Sequence, residues 1–128
     1  MRLWHYKLIP YLDRQRLLGQ HRECCALRGN GWGKPHSVID YVFDYPYSWL
    51  FNYHTMVMAE MTKRGYKVDH KWLDPGFCGY NKTPLPGPVF FTDEIYREHN
   101  ERYLKECLDL LKQKHVPINF EKIQNELF

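Results

Sequence analysis

Residues 13–29, DRQRLLGQHRECCALRG, decide how this chain is read. Asp13 is a good helix N-cap and Gly29 a good terminator, so the stretch predicts a helix ending near Arg28. Gly29 is expected in the left-handed conformation that commonly follows a helix. At about 100° per residue, Leu17, Leu18, His21, Cys24 and Cys25 fall on one side. Arg16, Gly19, Gln20 and Glu23 fall on the other, with Gln15 and Arg22 on the flank. The helix therefore has an apolar face to bury and a cationic face carrying a single carboxylate.

Two more helices extend the pattern. Ser48 is positioned to cap one in which Leu50, Phe51, His54, Val57, Met58 and Met61 recur at three- and four-residue steps until Gly65. Thr92 is positioned to cap another, with Asp93 and Glu94 in its first turn and Tyr96, Tyr103, Leu104, Cys107, Leu108 and Leu111 on its buried side. Pro35 to Phe43 fits one or two helical turns, and the tail NFEKIQNELF a short last turn. Between Lys71 and Thr92 the prolines and glycines of KWLDPGFCGYNKTPLPGPVFFT favour a long ordered loop. No repeat or flexible linker interrupts the 128 residues. The expectation is an all-α, compact single domain spanning 1–128, with about three main helices and long irregular connections.

Composition narrows the partner. The excess of cations is small, 18 Lys and Arg against 15 Asp and Glu, so only its distribution matters. Arg2, Lys7, Arg14, Arg16, Arg22, Arg28 and Lys34 face only Asp13 and Glu23 among the first 36 residues, so a polyanion is expected to meet the N-terminal part. Aromatics at 16% suit a core and a base-stacking surface alike. With no apolar run of signal or membrane-span length, a soluble, cytoplasmic protein is expected.

The chemistry follows by weighing residue types. Cys24, Cys25, Cys78 and Cys107 form no CxxC pair, and adjacent cysteines point apart. His21 with Cys24 or Cys25, and Cys78 or Cys107 beyond, is the best metal grouping available, but buried free thiols are the simpler reading and no metal is expected. His54, on an apolar helix face, reads as a core histidine, and catalysis is assigned neither to it nor to His5. Glu23 read alone is a solvated helix residue. Its neighbours change that. Gly19, one turn earlier, costs about 1 kcal/mol relative to Ala inside a helix and makes sense where something must approach the backbone. Arg16 and Arg22 can hold phosphates while the carboxylate does proton chemistry. No Ser-His-Asp set, phosphate-binding glycine loop or acidic cluster supplies a nucleophile. An α-amine, titrating near about 7.7–8.0, is the unused candidate.

The residues carry a resemblance. MRLW at the start, YLDRQRLLGQHRE at 11–23, KRGYKVD at 63–69 and YLKECLDLL at 103–111 resemble the pyrimidine dimer DNA glycosylases, the bacteriophage endonuclease V type and its bacterial relatives. The resemblance implies a helical enzyme whose N-terminal amine attacks the sugar C1′ beside a damaged base and releases the base through an imine. It implies that β-elimination then nicks the strand and that no cofactor is needed. Carried over by position, Met1 supplies the amine, Glu23 is the catalytic carboxylate, Arg22 contacts phosphate, Arg2 follows the nucleophile and Gln15 matches a polar position. Ala26 stands where the phage enzymes have an arginine three residues after the glutamate, which leaves Arg28 as the candidate to reach in from another direction. GNGWGKPH at 29–36 is unlike the phage sequence. With Trp32, Lys34 and His36 it reads either as a backbone-clamping or base-stacking loop or as a plain helix-ending turn. The expected partner is damaged double-stranded DNA, with no membrane and no obligate protein partner, and the nucleic-acid contacts fall to Arg2, Gln15, Arg16, Arg22, Arg28, Lys34 and His36. A non-catalytic nucleic-acid-binding module of the same fold is the alternative, expected to show salt-sensitive binding without cleavage.

Overall fold

The computed structural model describes residues 2–29, 39–79 and 93–128. Four α-helices, α1 (Arg14–Arg28), α2 (Tyr47–Lys63), α3 (Glu101–Gln113) and α4 (Phe120–Leu127), lie among them with short 3-10 helices at Tyr6–Tyr11, Asp40–Asp44 and His70–Leu73. No strand occurs among the described residues, and none of their helices is long and apolar enough to cross a membrane. The architecture is all-α.

Helix α1 has the bounds its sequence predicts, with two local differences. The Asp13 side chain makes no cap bond; its carboxylate pairs with Arg16 at 3.4 Å instead. Gly29 sits at φ −91°, so the left-handed expectation is wrong. Glycine is required there for space: a Cβ would lie 2.8 Å from the Cys78 carbonyl oxygen, inside any real contact distance. Helix α2 starts one residue before Ser48, with Pro46 at the cap position. Leu50, Tyr53, His54, Val57, Met58 and Met61 give it a buried face running its whole length. It stops where Gly65 takes φ +81° and the Tyr66 amide reaches back to the Met61 carbonyl, a glycine-closed helix end.

Helix α3 begins much later than the sequence pattern indicated. Thr92 lies outside the described residues, and the cap is Asn100, whose side chain accepts from the Tyr103 amide at 2.9 Å. Tyr96 is buried but packs from the irregular segment ahead of the helix. Leu104, Cys107, Leu108 and Leu111 do form the inward face of α3. The tail is a helix of two turns, α4, capped by Asn119 and anchored by the fully buried Ile123.

The chain before the first 3-10 helix is part of the core. Leu3, Trp4 and His5 are buried, and side chains from three helices and the segment before α3 bind the backbone around them. Gln20 of α1, Tyr53 of α2 and Tyr103 of α3 each bond to this segment, and His99 bonds to the Tyr6 amide just after it. Buried peptide groups need partners. Here side chains supply them, so residues 2–6 are held in the same way as a strand in a sheet, but by helices.

Candidate functional site

Helix α1 turns Gln15, Arg16, Gly19, Arg22 and Glu23 into one groove of about 660 Å³. Arg2 and Trp4 close one side of it, and Leu110 and Lys114 at the end of α3 contribute as well. Four cations thus surround one carboxylate. Arg16 leans toward Asp13 and Arg2 toward Glu106, the latter at 3.8 Å, so each retains a loose intramolecular partner. Among the described residues no hydrogen bond or ion pair engages the Glu23 carboxylate. Gly19 forms open floor: a Cβ there would meet only the Arg22 guanidinium, at 3.8 Å. The groove therefore offers positive charge for phosphates, a free carboxylate for a cationic or protonated sugar, and a gap where a backbone can come close.

Of the residues singled out in the sequence, Arg2, Gln15, Arg16, Arg22 and Glu23 are brought together in this groove. Met1, Lys34 and His36 lie outside the described residues. Arg28 does not belong with them. It is fully buried, and all five of its N–H groups point at acceptors. Nε donates to the Tyr47 hydroxyl, Nη1 to the Trp72 carbonyl and to Nδ1 of His54, and Nη2 to the Asp74 and Phe77 carbonyls, all within 2.7–3.0 Å. Its ring contacts are with Phe51 and Trp72. Arg28 is a structural cation that ties α1 to α2 and to the segment after the 3-10 helix at His70–Leu73, and it has no donor left for DNA.

Two groove residues have no signal in the sequence. Lys114 follows α3 and stands over the Trp4 ring, 5.8 Å from its centre. Gln20 falls on the polar side of the helical wheel, yet it is only 3% exposed because its amide is inserted into the N-terminal segment.

A second cluster sits on the opposite side of α1. His21 Nδ1 lies 2.8 Å from His54 Nε2, and Cys25 Sγ is 3.7 Å from His21 Nε2 and 3.8 Å from His54 Nε2. The spacing suits a metal, but the protons do not. Arg28 can only donate, so Nδ1 of His54 accepts and its single proton stays on Nε2, pointed at His21 Nδ1. A ligating histidine needs its lone pair at the metal and an acceptor behind its other nitrogen, and a guanidinium is the reverse of that. Burial holds His54 well below the ordinary histidine range, with Arg28 and His21 adding to the effect. Burial also pushes the Cys25 thiol up to about 11. The cluster is a directed hydrogen-bond chain from Arg28 through His54 to His21.

The sequence profile of the pyrimidine dimer DNA glycosylase family matches residues 1–74, which span the N-terminal segment, α1 and α2. No curated protein and no solved structure matches the chain.

Proposed function

The chain belongs to the pyrimidine dimer DNA glycosylase family and so is a DNA repair glycosylase, and we propose that it acts on damaged double-stranded DNA by imine chemistry at the Met1 α-amine with Glu23 assisting. The observation that carries this reading is the groove itself, in which a carboxylate with no partner among the described residues stands among Arg2, Arg16, Arg22 and Lys114, beside the residue that follows the amine.

In the proposed sequence the target nucleotide leaves the base stack, and the cations hold its flanking phosphates. The amine lone pair attacks C1′, the C1′–N bond to the base breaks, and the base departs with a proton. The sugar ring then opens: the C1′–O4′ bond breaks, O4′ takes a proton from solvent, and the nitrogen lone pair forms an iminium with C1′. Glu23 stabilises that positive charge and then takes the proton from C2′. The C2′ electron pair expels the 3′ phosphate, and hydrolysis of the imine frees the amine. An α-amine of pKa about 7.7–8.0 is partly unprotonated at neutral pH, which a lysine at about 10.4 is not.

Borohydride trapping on DNA containing an abasic site tests the scheme. The untagged protein should give a covalent adduct that disappears when the N-terminus is extended, and Glu23→Gln should reduce trapping while binding persists. An adduct that survives extension would move the nucleophile to a side-chain amine. Binding without any adduct would leave a DNA-binding module.

A further inference from the structure

We propose that Gln20 is the positioning residue for the nucleophile. This inference rests on the imine reading above and concerns how the amine and Glu23 come to meet.

Both ends of the Gln20 amide are engaged. Oε1 accepts from the Trp4 amide at 2.7 Å, and the Tyr53 hydroxyl lies 2.9 Å from the same oxygen. Nε2 donates to the Arg2 carbonyl at 3.0 Å. One carboxamide thus reads the backbone on both sides of Leu3, an acceptor and a donor in fixed register, as a neighbouring strand's peptide group would. The Tyr53 hydroxyl, 2.6 Å from the Trp4 carbonyl, braces Gln20 and the segment together.

What makes this a positioning device is its place on α1. Gln20 and Glu23 are one turn apart on a single helix, neighbours on its surface. Gln20 grips the carbonyl of Arg2, the residue joined to Met1, while Glu23 faces the groove. The place of the Arg2 carbonyl relative to the backbone of Glu23 is then set by one helical turn and the Gln20 side chain. The chain between them, which includes a 3-10 helix with Pro10 inside it, need not define it. The pairing chemistry is specific: leucine would strand a buried N–H and a buried carbonyl, and glutamate would keep an acceptor but lose the donor to Arg2.

The test compares Gln20→Leu and Gln20→Glu with Tyr53→Phe, which disturbs the same buried knot but leaves both bonds from Gln20 to the segment. Two readouts are needed. The first uses no DNA: the α-amine is labelled by reductive methylation with 13C-formaldehyde and titrated by NMR, with and without Glu23→Gln. In the wild-type and Tyr53→Phe backgrounds, Glu23→Gln should lower the amine pKa by about half a unit. In both Gln20 variants that displacement should vanish. The second readout is the single-turnover trapping rate at saturating abasic DNA, expected to fall about a hundredfold in the Gln20 variants with affinity little changed. A displacement that persists in the Gln20 variants, is lost equally in Tyr53→Phe, or is missing from the wild type overturns the proposal. Should the displacement behave as expected while no variant ever gives an adduct, the positioning role stands and the imine reading fails.

Discussion

The Arg28 guanidinium donates to Nδ1 of His54 across 2.9 Å in the interior, and that single contact fixes the proton on both histidines of the pair. Arg28→Met would remove the donor that three backbone carbonyls, the Tyr47 hydroxyl and His54 Nδ1 each receive from the guanidinium. The expected loss is about 3–5 kcal/mol, since each stranded buried acceptor costs about 1–3 kcal/mol and some relaxation follows. Urea unfolding of the variant measures it. DNA affinity, compared under conditions where both proteins are folded, should be unchanged, in contrast to Arg22→Gln. A weakened affinity with normal stability would return Arg28 to the DNA interface.

The buried histidines make stability depend on acidity in a defined direction. Burial lowers His5 to about 4 and His99 to about 3, and lowers His21 and His54 as well. In the unfolded chain each takes up a proton near pH 6.5, as a free histidine does. Below that pH the unfolded state holds protons the folded state refuses, so stability falls as pH drops from about 6.5 toward 4. His5 and His99 each contribute at most about 1.4 kcal/mol per pH unit, reached in the middle of that window. His99 Nδ1 accepts from the Tyr6 amide, so the neutral ring carries its proton on Nε2, 2.7 Å from the Tyr41 hydroxyl oxygen, and an added proton on Nδ1 would face the Tyr6 N–H. Urea midpoints between pH 4.5 and 7.5 should follow this slope, and the slope should become shallower by one histidine's share in His99→Gln. A midpoint independent of pH in the wild type would contradict it.

Gly19→Ala and Gly29→Ala should move stability in opposite directions. At Gly19 the new methyl meets nothing closer than 3.8 Å within a helix, so stability should rise by about 1 kcal/mol. The same methyl occupies groove floor, so trapping on abasic DNA should weaken. At Gly29 it would collide with the Cys78 carbonyl, and a loss of about 1–3 kcal/mol is expected. Thermal melts of the two variants decide this, and full activity in a stabilised Gly19→Ala protein would show that nothing approaches the helix there.

Lys114→Ala tests a groove residue that lies outside the family match. If Lys114 neutralises one phosphate, the slope of log affinity against log salt should become shallower by about 1. The trapping rate at saturating DNA should hold. An unchanged slope would remove Lys114 from the interface.

Sequence reading succeeded where local rules decide the outcome. Asp13 and Gly29 bracket α1, and the three- and four-residue spacing of α2 marks the face that is buried. The start of α3 was misplaced because Thr92 and Asn100 are both able caps, and Tyr96 continues the apolar stripe although it packs from outside the helix. The α1 wall of the groove was legible, since Arg16, Gly19, Arg22 and Glu23 share a face through their spacing alone. Arg28 was misread because its acceptors at Trp72, Asp74 and Phe77 are remote in sequence, and no local pattern reveals that a cation is already satisfied. Gln20 and Lys114 were missed for the same reason: one is defined by residues 2 and 4, the other by Trp4.

The binding of residues 2–6 also has a consequence for biosynthesis. The Leu3 carbonyl is held by Tyr103, 100 residues later, and the Tyr6 amide by His99, 93 residues later. A ribosome delivers the beginning of the chain first, yet those two partners are made 93 and 100 residues later. Until then Gln20 and Tyr53 can offer only part of the seat, and contacts between such distant positions are the slow ones to form. The nascent polypeptide therefore carries its first residues only partly seated until α3 has been made, and the groove, whose lining includes Leu110 and Lys114, is complete only then.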